Sequence, residues 1–210
     1  MLTKISNNSL SAISTLPSAI PVGALTLIKT QTASDVVSVE FKHGTNDVVF
    51  DSTYKVYVFK YIEIHPENED ASELKFQVST DTGTTYGQNI TSTSFQTTHT
   101  EDGATANVVY VTSQDLAQST DFQHITANNI GNAADENASG TFTIYDPSNT
   151  TFVKHFMSRN VNTRSDNRCN DVFNAGYINT TSAIDAIKFS MMNGQTEKTM
   201  DGVFKMYGVS

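Results

Sequence analysis

Five histidines, His43, His65, His99, His124 and His155, a single cysteine, Cys169, and three closely spaced arginines, Arg159, Arg164 and Arg168, are the side chains of this sequence best suited to proton transfer, nucleophilic attack or anion binding. Their spacing argues against most of that chemistry. No two histidines stand at metal-ligand spacing, and neither an HExxH run nor a Cys-His arrangement is present. Serine is abundant, yet no Gly-x-Ser-x-Gly elbow exposes one as a nucleophile. The acidic turn Glu67-Asn68-Glu69-Asp70 offers oxygen ligands for calcium but lacks the alternating ligand positions and central glycine of an EF-hand loop, which favours a solvated turn. Paired carboxylates for glycoside hydrolysis are a spatial feature that spacing alone does not settle. The arginines have Asp166 and Asp171 among them, so a charge-balanced loop is the simpler reading than a docking patch. Cys169 has no second cysteine to pair with and is expected to be a buried or half-buried thiol. The expectation is a non-enzymatic chain with no catalytic, cofactor-binding or metal-binding residues.

Aromatic side chains are the remaining candidates for ligand recognition, because sandwich modules that bind sugars stack pyranose rings on exposed flat groups. The chain has no tryptophan. Tyr86, Tyr110, Tyr145 and Tyr177 are left, and most of them fall in strand patterns where burial accounts for them. A net charge of −9 disfavours an electrostatic grip on nucleic acid or an anionic membrane. No stretch is apolar over the length needed to span a bilayer, and no basic-then-apolar leader opens the chain, so synthesis and assembly in a cytoplasm are expected. Asn-x-Ser/Thr sequons such as those at Asn89 and Asn149 are what an Asn- and Thr-rich chain produces by chance.

The elements that would position these groups read as strands. Charged residues make up only 17% of the chain, and Thr, Ser and Asn fill the gap, a composition that favours sheet. Val37, Val39 and Phe41 alternate with Ser38 and Glu40; Leu74, Phe76 and Val78 alternate with Lys75 and Gln77. Tyr54 to Ile64 is apolar at both parities, with Tyr57, Phe59 and Tyr61 on one side and Val56, Val58, Ile62 and Ile64 on the other, which predicts a strand covered on both faces and ended by His65-Pro66. Asp81-Thr82-Gly83 and Asp146-Pro147-Ser148-Asn149 read as turns. Ala106 to Thr112 reads as a short buried strand, the Thr/Ser-rich run from Tyr86 to Gly103 gives no clear element, and Ser113 to Gly140 reads as one edge strand with an exposed loop. A hairpin runs from Thr141 to Arg159, then a loop to Cys169, then strand again from Val172 to Ile178. At the C-terminus, Ile187, Phe189 and Met191 form one arm and Val203 to Tyr207 the other of a predicted hairpin turned at Asn193-Gly194. About eight to ten strands at these spacings predict an all-β, antiparallel β-sandwich of jelly-roll type over residues 24–210, with Phe59, Phe76, Phe156, Phe189 and Phe204 buried.

Residues 1–23 differ from the rest. Leu10, Ile13, Leu16 and Ile20 are spaced among small polar residues and two prolines, too irregular for a strand and too interrupted for a long helix. Two readings stand: a solvated leader, or an extended arm whose four aliphatics bind pockets on a partner.

The runs "FDSTYKVYVFKYIEIHPENEDASELKFQVSTDTGTTY", "GTFTIYDPSNTTFVK" and "AIDAIKFSMMNG…MDGVFKMYGV" follow one another in an order that resembles a widespread family of tailed-phage virion structural proteins. That family ends in an Ile-x-Phe strand, then Gly-Asn-Ile, Ser-Gly and a strand closing in Leu-Tyr-Gly-Ile. Here Asn193-Gly194 reverses the order, Asp201 stands before Gly202, and Met206 and Val209 replace the two aliphatics. The resemblance implies a jelly-roll-like virion protein exposed on the particle surface, a head decoration protein in the first instance. The alternative it leaves open is a tail-associated or fibre-like receptor-binding module that recognises a host surface glycan. Its implied partners are other capsid or tail proteins and further copies of itself, with no cofactor, nucleic acid or membrane, and its implied location is the virion, assembled in the host cytoplasm.

Overall fold

The computed structural model describes residues 25–68 and 70–209. Leu10, Ile13, Leu16 and Ile20 lie outside the described residues. Among those described there is no helix, and thirteen strands form two antiparallel sheets. Strands β1 (Leu25–Val36), β3 (Val56–Pro66), β5 (Ile90–Thr100), β6 (Ala106–Tyr110), β8 (Ala138–Tyr145), β9 (Lys154–Thr163), β10 (Arg168–Ile178) and β13 (Met200–Val209) make the larger sheet, in the order β1-β13-β3-β8-β9-β10-β5-β6. Strands β2 (Ser38–Lys42), β4 (Glu73–Ser79), β7 (Gln123–His124), β11 (Ala186–Asn193) and β12 (Thr196–Lys198) make the smaller, where β11 pairs with both β2 and β12 on one side and with β4 on the other, and β4 pairs with β7.

This order is that of a jelly roll with insertions. The neighbours β1-β13-β3-β8 in one sheet face β2-β11-β4-β7 in the other, and the chain crosses between sheets from β1 through β4 and again at β7, β8, β11 and β13. The hairpin β5-β6 is inserted before β7 and the hairpin β9-β10 before β11, and together they extend the larger sheet on one side. An all-β antiparallel sandwich of jelly-roll type is therefore what the chain adopts.

The jelly-roll core is aromatic. Phe59 of β3 packs against Phe41 of β2 at 5.2 Å between ring centroids and against Phe189 of β11 at 5.4 Å. Phe76 of β4 meets Phe142 of β8 at 4.6 Å and Phe156 of β9 at 5.1 Å. All five phenylalanines expected in the core are buried. Each such side chain contributes roughly 1.5–3 kcal/mol of transfer free energy, and edge-to-face ring pairs add about 0.5–1.5 kcal/mol. In β3, Tyr57, Phe59 and Tyr61 point inward; a bulge with Glu63 at φ 53° then shifts the register so that Ile64 also points inward, while Ile62 is exposed. The cover expected on both faces is not found among the described residues: Val56 and Val58 are half-buried and Ile62 is exposed, and the bulge turns only Ile64 of that parity inward.

Several sequence expectations are corrected. The C-terminal stretch is not a two-arm hairpin: Asn193-Gly194 turns β11 into the short β12, and β13 then crosses to the opposite sheet. β6 is exposed because it is the edge of the larger sheet. The Thr/Ser run holds an eleven-residue strand, β5. The segment from Arg159 is strand as far as Thr163, and Cys169, on the outer face of β10, is exposed. The segment between Ser113 and Gly140 does contain an edge strand, β7, but Ile125, Thr126, Ala127 and Ile130 within it are fully buried.

That buried irregular segment explains an unusual face. Where β5, β10 and β9 extend the sheet, their inward residues form a polar grid around Val172: Ser94, Gln96 and Thr98 on β5, Asn170 and Asn174 on β10, and Ser158, Asn160 and Asn162 on β9. A loop lying on a sheet carries backbone groups that water cannot reach, and these must find partners. Asn174 Nδ2 donates to the Ile125 carbonyl at 2.8 Å, Asn160 Nδ2 donates to the same oxygen, and Asn162 Oδ1 accepts from the Ala127 amide at 3.2 Å. Gln123, at the start of the segment, is likewise held by Ser92. The grid is the hydrogen-bonding bed of the loop.

Candidate functional site

The opposite face of the same extension is where exposed apolar and aromatic groups gather. Residues one position out of phase with the polar grid point outward, and cross-strand register aligns Tyr110 on β6, Phe95 on β5, Phe173 on β10 and Arg159 on β9 in one row. The Phe95 and Phe173 rings stack with centroids 4.8 Å apart and planes 3° from parallel. The Arg159 guanidinium lies 4.8 Å over the Phe173 ring, and Asp171 holds it from the side by accepting from Nε at 3.1 Å and Nη2 at 2.8 Å. A cation over a ring face and a two-point carboxylate grip both fix the arginine in the plane of the row. Tyr110 donates its hydroxyl proton to Asp115 at 2.5 Å, and that bond raises its pKa above the ordinary tyrosine value. Neighbouring rows add Val108, Met157, Val161 and Tyr145, each at least 39% exposed. A shallow groove of about 430 Å³ runs beside them, lined by Thr97, His99, Val108, Cys169 and Asp171 among others.

Of the tyrosines weighed as sugar platforms, Tyr110 and Tyr145 are exposed on this face. Tyr177 is half-buried, its hydroxyl accepting from Gln118 Nε2, and Tyr86 is held by Glu40 at 3.2 Å with its pKa pushed up by burial. Phe95 is not singled out by the sequence because the inner face of β5 is mostly polar, the available signal being β-branched or aromatic residues at Thr91, Thr93, Phe95 and Thr97; Phe173 lies in a segment that does read as strand, and only its partner across the sheet, Phe95, marks it as part of a row.

The other candidates separate. The three arginines do not form one patch: Arg159 pairs with Asp171, and Arg164 and Arg168 both reach Asp166 at 3.1 Å. His43 accepts from the Phe50 amide, His65 meets the Ala133 carbonyl, His99 stands opposite Cys169, His124 is enclosed beside Lys75, and His155 lies near Tyr177. Glu67 of the acidic turn hydrogen-bonds Asp201, which raises the Glu67 pKa and lowers that of Asp201, while Asp201 also accepts the Asp35 amide at 2.8 Å. This pair is closer than the about 5 Å or more that separates the two carboxyls of a glycoside hydrolase. Among the described residues no three His, Cys, Asp or Glu side chains form a group able to hold a metal ion.

Fold and surface together define a β-sandwich of jelly-roll class with an extended sheet and an exposed aromatic row. Comparison of the chain with protein-family models, with curated proteins and with solved structures finds no match.

Proposed function

We propose that the protein is a non-enzymatic structural component of a bacteriophage particle, displayed on its surface as a head decoration protein that assembles in the host cytoplasm. Support comes from the three sequence runs that resemble tailed-phage virion proteins, together with one structural observation. That observation is the outer face of β5, β6, β9 and β10, which offers Tyr110, Phe95, Phe173 and Arg159 as a flat contact row suited to capsid or tail proteins. The segment 1–23, with Leu10, Ile13, Leu16 and Ile20, supplies a second attachment element in this reading. Four buried aliphatics give about 6–12 kcal/mol gross, offset by ordering some twenty residues at roughly 1 kcal/mol or more each, so the arm acts together with the sandwich face. Quantitative protein analysis of purified particles tests the reading. Hundreds of copies per particle support head decoration, a few to tens move the protein to the tail, and absence from particles overturns it. Removal of residues 2–22 is expected to leave a folded sandwich that no longer incorporates; full occupancy by the truncated protein would place attachment on the sandwich face alone.

A second reading, a receptor-binding module for a host surface glycan, draws on the parallel Phe95 and Phe173 rings and the exposed Tyr110. Binding on a glycan array that is lost in Phe95→Ala and Tyr110→Ala would favour it over decoration.

A further inference from the structure

β6 ends the larger sheet, and all five of its residues are exposed, Val108 at 71%. No charged residue occurs between Ala106 and Val111. The Val111 amide donates to the Ser94 carbonyl at 2.9 Å and the Thr100 amide to the Thr105 carbonyl at 3.0 Å. Antiparallel alternation then directs the polar backbone groups of residues 105, 107, 109 and 111 towards β5, and those of Ala106, Val108 and Tyr110 away from the sheet. Among the described residues nothing pairs with that outward row, and an uncharged edge of this kind is a template for another strand. The opposite edge of the same sheet is protected: β1 carries two register shifts and presents Lys29 and Asp35. β6 has neither bulge, proline nor charge.

We propose that β6 pairs antiparallel with β6 of a second copy of this chain across a two-fold axis at Val108, joining two larger sheets edge to edge. The occupant follows from the strand itself. Centred on Val108, self-pairing sets each outward-facing residue opposite another outward-facing residue, Val108 against Val108 and Ala106 against Tyr110, and forms on the order of six main-chain hydrogen bonds. The small Ala106 leaves room for the Tyr110 ring of the other copy, which extends the row Tyr110, Phe95, Phe173 across the axis. Two chains of net charge −9 repel each other, and a contact through an uncharged strand avoids adding like charges at its centre. Because the contact is isologous it closes at two copies, whereas pairing with the blunted β1 edge would run head to tail. One strand pair lies at the small end of protein interfaces, so a weak, concentration-dependent dimer is expected. The pairing is independent of the virion reading, since it rests on the edge alone.

Sedimentation of the full-length protein up to about 100 μM should show a monomer–dimer equilibrium. Val108→Lys should weaken it by about tenfold or more, with an unchanged melting temperature at dilutions where both proteins are monomeric, because the side chain it replaces is exposed. In a Cys169→Ser background, Val108→Cys should form a disulfide-linked dimer on mild oxidation, whereas Asn107→Cys, placed opposite Val109 with its side chain on the other sheet face, should not. A protein that stays monomeric throughout, including one whose own segment before Leu25 covers the edge, overturns the proposal. So does crosslinking through residue 107 as readily as through residue 108.

Discussion

Phe189 and Phe204 face each other from opposite sheets with ring centroids 5.5 Å apart, although the sequence places them in what reads as one hairpin. Their meeting ties β11 to β13 through the core. Phe189→Ala and Phe204→Ala are each expected to cost about 3–5 kcal/mol, and the double variant less than the sum, because the second truncation removes a contact already lost. Urea unfolding of the two single variants and the double measures this; strictly additive losses would mean that the rings do not interact.

Gly208 shows why the terminal strand needs a glycine between Tyr207 and Val209. A Cβ there would stand 2.3 Å from the ring carbons Cγ and Cδ2 of Tyr54, which lies over the strand. Gly208→Ala should destabilise by about 1–3 kcal/mol through overpacking. The same substitution in a Tyr54→Ala background should cost markedly less, and equal costs in both backgrounds in thermal melts would rule out the ring as the cause.

Removing the two amide donors to the Ile125 carbonyl should loosen the loop rather than the core. Asn174→Ala together with Asn160→Ala leaves a buried carbonyl unpaired, at roughly 1–3 kcal/mol. Hydrogen exchange should accelerate across residues 113–130 while the amides of β3 and β13 stay protected. Uniform acceleration over the whole sandwich would contradict a local role for the polar grid.

His124 makes stability depend on pH. Burial, with the Lys75 charge beside it, lowers its pKa from 6.5 to about 3, so the folded ring stays neutral where the unfolded ring takes a proton. The unfolded state therefore binds more protons across that interval, and stability falls as pH drops from about 6.5 towards 3. Asp81, drawn down to about 2 by Ser79 and Thr85, acts at the acid end of the range: its contribution is present above 3.8 and is lost as pH falls through about 2. Urea midpoints of the wild-type protein should decline between neutral and mildly acid pH, and His124→Gln should flatten that slope. An unchanged slope in the variant would exclude His124 as its source.

Alternation of large apolar residues made the inward side of Leu74, Phe76 and Val78 legible, but not the burial of Lys75 and Gln77 between them on the other face of β4; in β3, apolar at both parities, the tertiary structure decided that Tyr57, Phe59 and Tyr61 take the inner face and Ile62 the outer. The turns at Asp81-Thr82-Gly83 and Asp146 to Asn149 were legible for the same local reason, a residue that tolerates positive φ, as Gly83 does at 74°, or a side-chain bond such as that from Asn149 to Asp146. Tertiary structure alone decided the rest. β5, and the ends of β9 and β10 around Asn160, Asn162 and Asn170, bury Ser, Asn, Gln and Thr because their covering layer is loop backbone that needs hydrogen bonds, and a polar inner face erases the pattern by which a strand is read. Whether the apolar run from Ala106 to Val111 is core or surface depends on which strand ends the sheet, and β13 crosses to the far sheet because both of its neighbours, β1 and β3, lie there. Pairing partners distant in sequence determine these outcomes, and no local spacing encodes them.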